Sequence, residues 1–294
     1  LVFRFPNERE PLRDKLLKLL EQKGDLPPLP DVLLKLENHI NDPNSDLDSV
    51  AALIETDPVL QGRLIKLANS VLYGGGRDQA DSLSTALLRL GLKMVLDLAY
   101  TSELPKLFNK VKSFNQMQFW KHSLAVGYLS RELGRKVLPD RQDQEICYLC
   151  GLMHDVGILV FEYLIPDKYS NFVKETDQSQ PLGELEKNWF GIGHPELGAR
   201  FVRKWWTVPD VVVEAVEKHH ESVPKLGDSL GINQIVYLAN VVAIEGGVPN
   251  EVVDFEEPLD EELMESLGFD HAEREAIMET AREGLALAES MLMG

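Results

Sequence analysis

Cysteine is almost absent from this chain: 294 residues contain two, Cys147 and Cys150. They are spaced Cys-x-x-Cys, but no second ligand pair lies nearby and no βαβ pattern surrounds them. Neither a structural zinc clip nor a thioredoxin-like redox centre is therefore indicated. They are expected to be small apolar side chains on a helix, in a reducing compartment. Long apolar runs are missing too. No stretch reaches the roughly 18 consecutive apolar residues a membrane span requires, and the first residues carry no signal-peptide pattern. A soluble, cytoplasmic protein is expected, and sequence upstream of Leu1 is left open because the chain does not begin with methionine.

Positive charge is scarce. Thirty Lys and Arg face 48 Asp and Glu, a formal net charge of −18. That balance repels phosphate backbones and speaks against general nucleic-acid binding unless a local basic patch overrides it. The one basic cluster is Arg200, Arg203 and Lys204 beside Trp205 and Trp206. It is read as a helix face whose long stems cover apolar surface. Gly74-Gly75-Gly76 lacks the Lys-Ser/Thr that completes an ATP-type phosphate loop.

Strand-like alternation is also lacking, and helical periodicity fills almost every segment, so the chain reads as all-α. Leu33, Leu34, Leu36 and Ile40 form one apolar stripe, and Val50 to Ile54 form another after the acidic start Asp46-Leu47-Asp48. Asp57-Pro58 opens a third helix, with proline tolerated in its first turn, and Tyr73 to Gly76 breaks it. Ser82 or Ser84 caps the next, which runs to Gly91, and Leu92 to Tyr100 makes one more. The character changes near 105–115. Two regions are expected: an N-terminal helical lobe, residues 1–112, packed on a histidine-bearing helical lobe, residues 113–294. Polar connectors fall at 137–145 and 176–188, with Asp177 to Pro181 the clearest loop, and Pro224 to Asp228 is another break. The tail from Glu256 is acidic at first, a solvated face, then helical from about His271 to Met293.

The histidines carry the chemistry. Five of the seven, His122, His154, His194, His219 and His220, lie in amphipathic segments, and His154-Asp155 sits inside the apolar run Tyr148 to Gly157. His122 shares a stripe with Phe119, Val126, Leu129 and Leu133, which turns its ring toward the core. His219 and His220 end a helix with Val212, Val213 and Val216 on its inner face. Asn240 interrupts the apolar helix Ile235 to Ile244 in the same way. A single buried histidine is usually satisfied by a carbonyl. Five converging with a carboxylate would each cost about 1–3 kcal/mol unsatisfied, and a shared divalent ion satisfies several together.

The order His122, His154-Asp155, His194, His219-His220 resembles that of the HD superfamily of metal-dependent phosphohydrolases. Within it the chain is similar to the HDOD group, the HD-related output domains of bacterial signalling. Leu26 to Pro30, Asp57-Pro58, Leu67-Ala68-Asn69-Ser70, Ala86 to Gly91, Phe119-Trp120 and Gly151 to Gly157 carry that likeness over about 22–222. The resemblance implies one metal held by His122, His154 and Asp155, and a second held by His194, His219 and His220, with Asp155 bridging. The chain departs from the similar HD-GYP type in three places. Asn240 stands where a last metal-binding Asp is expected, Ile158 stands where a catalytic Lys is expected, and no Gly-Tyr-Pro follows His219-His220-Glu221.

Those departures have chemical weight. Asn240 offers a neutral carbonyl oxygen, which leaves the site imidazole-rich and suited to one or two ions of iron, zinc, nickel or manganese rather than magnesium. Without the Lys, no cation stabilises charge developing on a phosphoryl oxygen. The expectation is a regulatory module with a degenerate metal site and no assigned catalytic residue, acting through a regulatory protein partner or a small nucleotide signal. The alternative is a metal-dependent phosphohydrolase or phosphodiesterase acting on a nucleotide or cyclic dinucleotide.

Overall fold

The computed structural model describes residues 9–22, 26–42, 44–70, 78–108, 111–176, 180–221, 224–253 and 258–292, and among them every regular element is an α-helix. The glycine break at 74–76 and residues 177–179 of the expected polar loop lie outside the described residues. The chain divides into two compact units. The first comprises Leu1–Pro27 and Phe108–Met278, and the second comprises Pro28–Leu107 and Glu279–Gly294.

Helix α1 (Arg9–Gln22) belongs to the first unit, and the next five helices to the second: α2 (Asp31–Asn41), α3 (Leu47–Ile54), α4 (Pro58–Ala68), α5 (Leu83–Leu90) and α6 (Leu92–Leu107). Their starts follow from local chemistry. Asp46 caps α3 and closes a reciprocal box with Ser49, Asp57 caps α4 ahead of Pro58, and Ser82 caps α5, the first of the two serines considered. Gly91, at φ +79°, turns α5 directly into α6. Asn69 holds Ala80 through both its backbone groups, accepting from the amide at 2.7 Å and donating to the carbonyl at 2.8 Å. Leu33, Leu36, Val50, Ile54, Leu60, Leu64 and Leu67 make the apolar core of this unit.

The first unit continues with α7 (Gln116–Val137), α8 (Arg141–Met153), α9 (Val156–Leu164), α10 (Pro166–Glu175), α11 (Leu182–Phe190), α12 (His194–Trp205), α13 (Asp210–Lys218), α14 (Ile232–Glu245) and α15 (Glu261–Ser266). Helix α16 (His271–Leu292) begins in it. Helix α7 packs along α8 and α14, α9 crosses α12, and α13 lies against α8, α12 and α14. Glycines permit the closest approaches. A Cβ on Gly151 would stand 2.6 Å from the Val126 carbonyl oxygen, and one on Gly157 would stand 1.9 Å from that of His194. Cys147 and Cys150 are buried on α8 and form no disulfide.

Arg141–Leu164 is long and apolar enough to cross a membrane, yet 89% of its most apolar stretch is buried inside the protein. It is α8 and α9 interrupted by His154 and Asp155, a core element rather than a span. The basic cluster on α12 is largely neutralised. Arg200 pairs with Glu196, Arg203 with Glu217, and the Lys204 ammonium lies over the Trp205 ring. Trp206 packs inward and donates its indole N–H to the Pro27 carbonyl at 3.0 Å.

Candidate metal centre

Helix ends and one mid-helix residue build the site. His154 follows the last turn of α8 and Asp155 precedes α9, so the turn between two core helices points both side chains into the interior. A carboxylate at that position ordinarily caps the helix that follows. Asp155 makes no such bond and faces the histidines instead. His194 opens α12 behind Gly193, His219 follows the last turn of α13 with His220 next to it, and His122 lies in the middle of α7. All six residues belong to the first unit.

The structure brings them into two adjoining groups, His122, His154 and Asp155 in one, and Asp155, His194, His219 and His220 in the other. His122, His154, His194 and His219 are fully buried, Asp155 nearly so, and His220 partly. The two carboxylate oxygens divide the labour. Asp155 Oδ2 lies 3.3 Å from His154 Nε2 and 3.8 Å from His122 Nε2. Asp155 Oδ1 lies 3.3 Å from His194 Nε2 and 3.4 Å from His219 Nε2. Asn240 is buried on α14 with its side chain against the His122 ring.

Ring orientation is fixed from behind. Nδ1–H of His122 donates to the Val248 carbonyl at 2.7 Å, that of His154 to Gly151 at 2.7 Å, and that of His219 to Val216 at 2.9 Å. A carbonyl oxygen only accepts, so these Nδ1 atoms carry protons and each Nε2 faces inward, where a neutral ring offers a lone pair. His122 and His154 then bring two such nitrogens to 3.3 Å, while His194 Nε2 lies 3.3 Å from that of His219 and 3.2 Å from that of His220. Ring nitrogens facing at this distance need an electropositive centre between them, a shared proton or a metal ion. Metal–nitrogen bonds of about 2.0–2.1 Å at tetrahedral angles place ligand nitrogens about 3.3 Å apart. The donor set and its spacing therefore fit one or two divalent ions, with Asp155 positioned to serve both groups.

Burial depresses His122 and His219 to about 4, in the first case aided by the neighbouring His154. It also holds His220 well below the usual imidazole range. His194 behaves differently. Burial opposes its charge, but the Glu186 carboxylate and then Asp155 outweigh that and raise it to about 10. Asp155 is likewise disfavoured as an anion by burial, yet the facing imidazoles hold its carboxyl well below the usual range.

Two residues that the sequence reading did not single out complete the surroundings. Glu186, fully buried on α11, accepts from His194 Nδ1–H at 2.7 Å and from the His194 amide at 2.5 Å through Oε2. Its Oε1 accepts the Tyr169 hydroxyl at 2.7 Å. Asn250 donates from Nδ2 to Asp155 Oδ2 at 3.2 Å. Glu186 was open to detection, because it falls on the apolar stripe of Leu182, Leu185 and Phe190. Asn250 was not, since it lies in a loop with no periodicity.

Residues 26–222 match the HDOD domain family. The chain belongs to that family. An HDOD domain protein of unknown function from Geobacter sulfurreducens has the same fold, with a TM-score of 0.71 at 25% identity over 95% of this chain and 97% of that one. An uncharacterized protein of Treponema pallidum (strain Nichols) is 28% identical over 203 residues, 69% of this chain and 39% of the relative. Ribonuclease Y of Lactobacillus gasseri is 28% identical over 167 residues, 56% of this chain and 23% of that protein. The chain thus spans well under half the length of these two curated relatives.

Proposed function

We propose that this HDOD chain is a bacterial signalling module, cytoplasmic in location, that acts by binding a regulatory protein or a small nucleotide signal. Its histidine-rich centre, with His122, His154, Asp155, His194, His219, His220 and Asn240 around it, is structural or sensory rather than catalytic. One observation carries this reading. Four of the five imidazoles are fully buried and both Asp155 oxygens are engaged among them, which leaves a closed, internally paired cluster instead of an open face for a phosphodiester. Ile158 reinforces it. Where the resemblance calls for a lysine, this chain has a side chain fully enclosed in the apolar core.

In this role the residues hold and exclude rather than react. The Val248, Gly151 and Val216 carbonyls lock three tautomers, Glu186 locks a fourth, and the apolar walls of α7, α8 and α14 keep water out. A bound ion would supply positive charge to the inward lone pairs and so tie α7, α8, α12 and α13 together.

The phosphohydrolase reading retains one specific support, the complete set of five histidines around a shared carboxylate, and one relative is named a ribonuclease. Elemental analysis of purified protein, followed by phosphodiesterase and nucleotidase assays with iron or manganese added, separates the two. Bound metal without turnover is the expected result. Hydrolysis at about 1 per second or faster, an ordinary enzymatic rate, would replace the signalling reading with the enzymatic one.

A further inference from the structure

The two halves of the centre are not equivalent. Three imidazoles share one group with Asp155, two of them at Oδ1, and two share the other at Oδ2. Asn250 already donates to Oδ2, and is itself held there because its Oδ1 accepts from the amides of Val252 at 3.0 Å and Val253 at 3.3 Å. That bond draws electron density from the oxygen facing His122 and His154. The opposite half gains a second carboxylate, Glu186, placed behind His194 with no solvent around it. His122, His154 and His219 rest on neutral carbonyls instead.

A carboxylate accepting from the back of a ligating imidazole makes its other nitrogen a stronger donor and fixes its direction. A buried negative charge also attracts a nearby dication more strongly than the same charge in water. Ligand number, Glu186 and Asn250 all favour the same half. We infer that the centre is a pair of unequal half-sites. The half formed by Asp155 Oδ1, His194, His219 and His220 fills first and tightly, with Glu186 as its positioning residue and Tyr169 holding the far oxygen of Glu186. The half facing His122 and His154 fills second and exchanges its ion. This rests on the metal reading proposed above and adds an order of occupancy to it.

The test is a cobalt(II) titration of the metal-free full chain, followed by visible absorption and by competition with a chromophoric chelator. Two separate uptake steps are expected. Glu186→Gln keeps the shape and an acceptor for His194 but removes the charge, so it weakens the first step by about 10–100-fold, the usual effect of losing such a partner, and shifts the first-step cobalt bands. The second step stays where it was. His220→Gln, at a partly exposed position, also weakens the first step alone and serves if the buried Glu186 variant fails to fold. Two equal steps in the unmodified protein, or variants that weaken both steps alike, overturn the inference while leaving a metal centre in place. No cobalt uptake at all overturns the metal reading and this inference together.

Discussion

Gly157 and His194 touch through their backbones: a Cβ on Gly157 would lie 1.9 Å from the His194 carbonyl oxygen and 2.9 Å from the Gly198 amide nitrogen. The obstacle is main chain, so no rotamer change relieves it. Gly157 lets α9 press against the first turn of α12, and that contact sets how far Asp155 stands from His194. Its place in the His-Asp-Val-Gly run is thus explained by packing that positions the site. Gly157→Ala should force the two helices apart, at a cost of at least the roughly 1–3 kcal/mol typical of overpacking. Metal retention, measured by elemental analysis at a temperature where the variant remains folded, should fall with it. Retention at the unmodified level would separate this crossing from the site.

Gly62 is the contrasting case. It sits inside α4 and a Cβ there meets nothing within 4 Å. Gly62→Ala should stabilise the protein by about 0.5–1 kcal/mol through the lower backbone entropy of the unfolded chain. A denaturant midpoint that falls instead would mean the helix is shaped by something other than its own propensity.

Removing metal should loosen the first unit. An ion bound only by the native state adds RT ln(1 + [L]/Kd), about 4 kcal/mol when free metal is a thousand times Kd. A chelator should therefore lower Tm, and excess metal should restore it. His154→Ala removes an Nε2 from the Asp155 Oδ2 group, so its Tm should respond less to added metal than the unmodified protein's. Scanning calorimetry with and without chelator distinguishes these outcomes, and a Tm indifferent to both treatments would argue that no ion supports the fold.

Asn240→Asp probes the same half from another direction. The Asn240 side chain meets the His122 ring, and the substitution offers a charged oxygen where a neutral one stands. Metal should bind more tightly to the His122 and His154 group. Without metal the new buried carboxylate should be destabilising. The difference in Tm between loaded and metal-free protein should thus exceed that of the unmodified chain, and a smaller difference would place Asn240 outside the centre.

The sequence made some of this legible and hid the rest for identifiable reasons. His122 could be placed because Phe119, Val126, Leu129 and Leu133 share its helix face, and all four are buried. Asp46, Asp57 and Ser82 announced helix starts because capping is a local interaction. Glu186 sits 0% exposed on α11, within the 176–188 stretch read as a polar connector, and its helical spacing from Leu182 and Phe190 was the signal passed over. Asn250 depends on backbone that composition does not announce, including Gly247 at φ +81° and Glu251 at φ 69°. The split of Asp155 between two groups depends on four helices meeting, which no periodicity encodes.

In the second unit the Tyr100 hydroxyl donates to Glu37 at 3.1 Å. Burial raises the Glu37 carboxyl above its usual 4.5, and the Tyr100 bond only partly offsets this. The native state therefore binds this proton more tightly than the unfolded chain does. The sign follows: Glu37 detracts from stability increasingly as pH rises from 4.5 through its raised folded value, and the penalty is constant above it. Glu37→Gln can still accept from Tyr100 without a charge, so it should gain stability relative to the unmodified protein across that window and hold the gain at neutral pH. Tyr100→Phe removes the bond that favours the anion and should move the Glu37 titration higher still. Urea denaturation of the three proteins between pH 4 and pH 8 reads the first effect and carboxyl NMR reads the second. If the difference between the unmodified protein and Glu37→Gln does not change with pH, burial of this carboxylate is not what sets its titration.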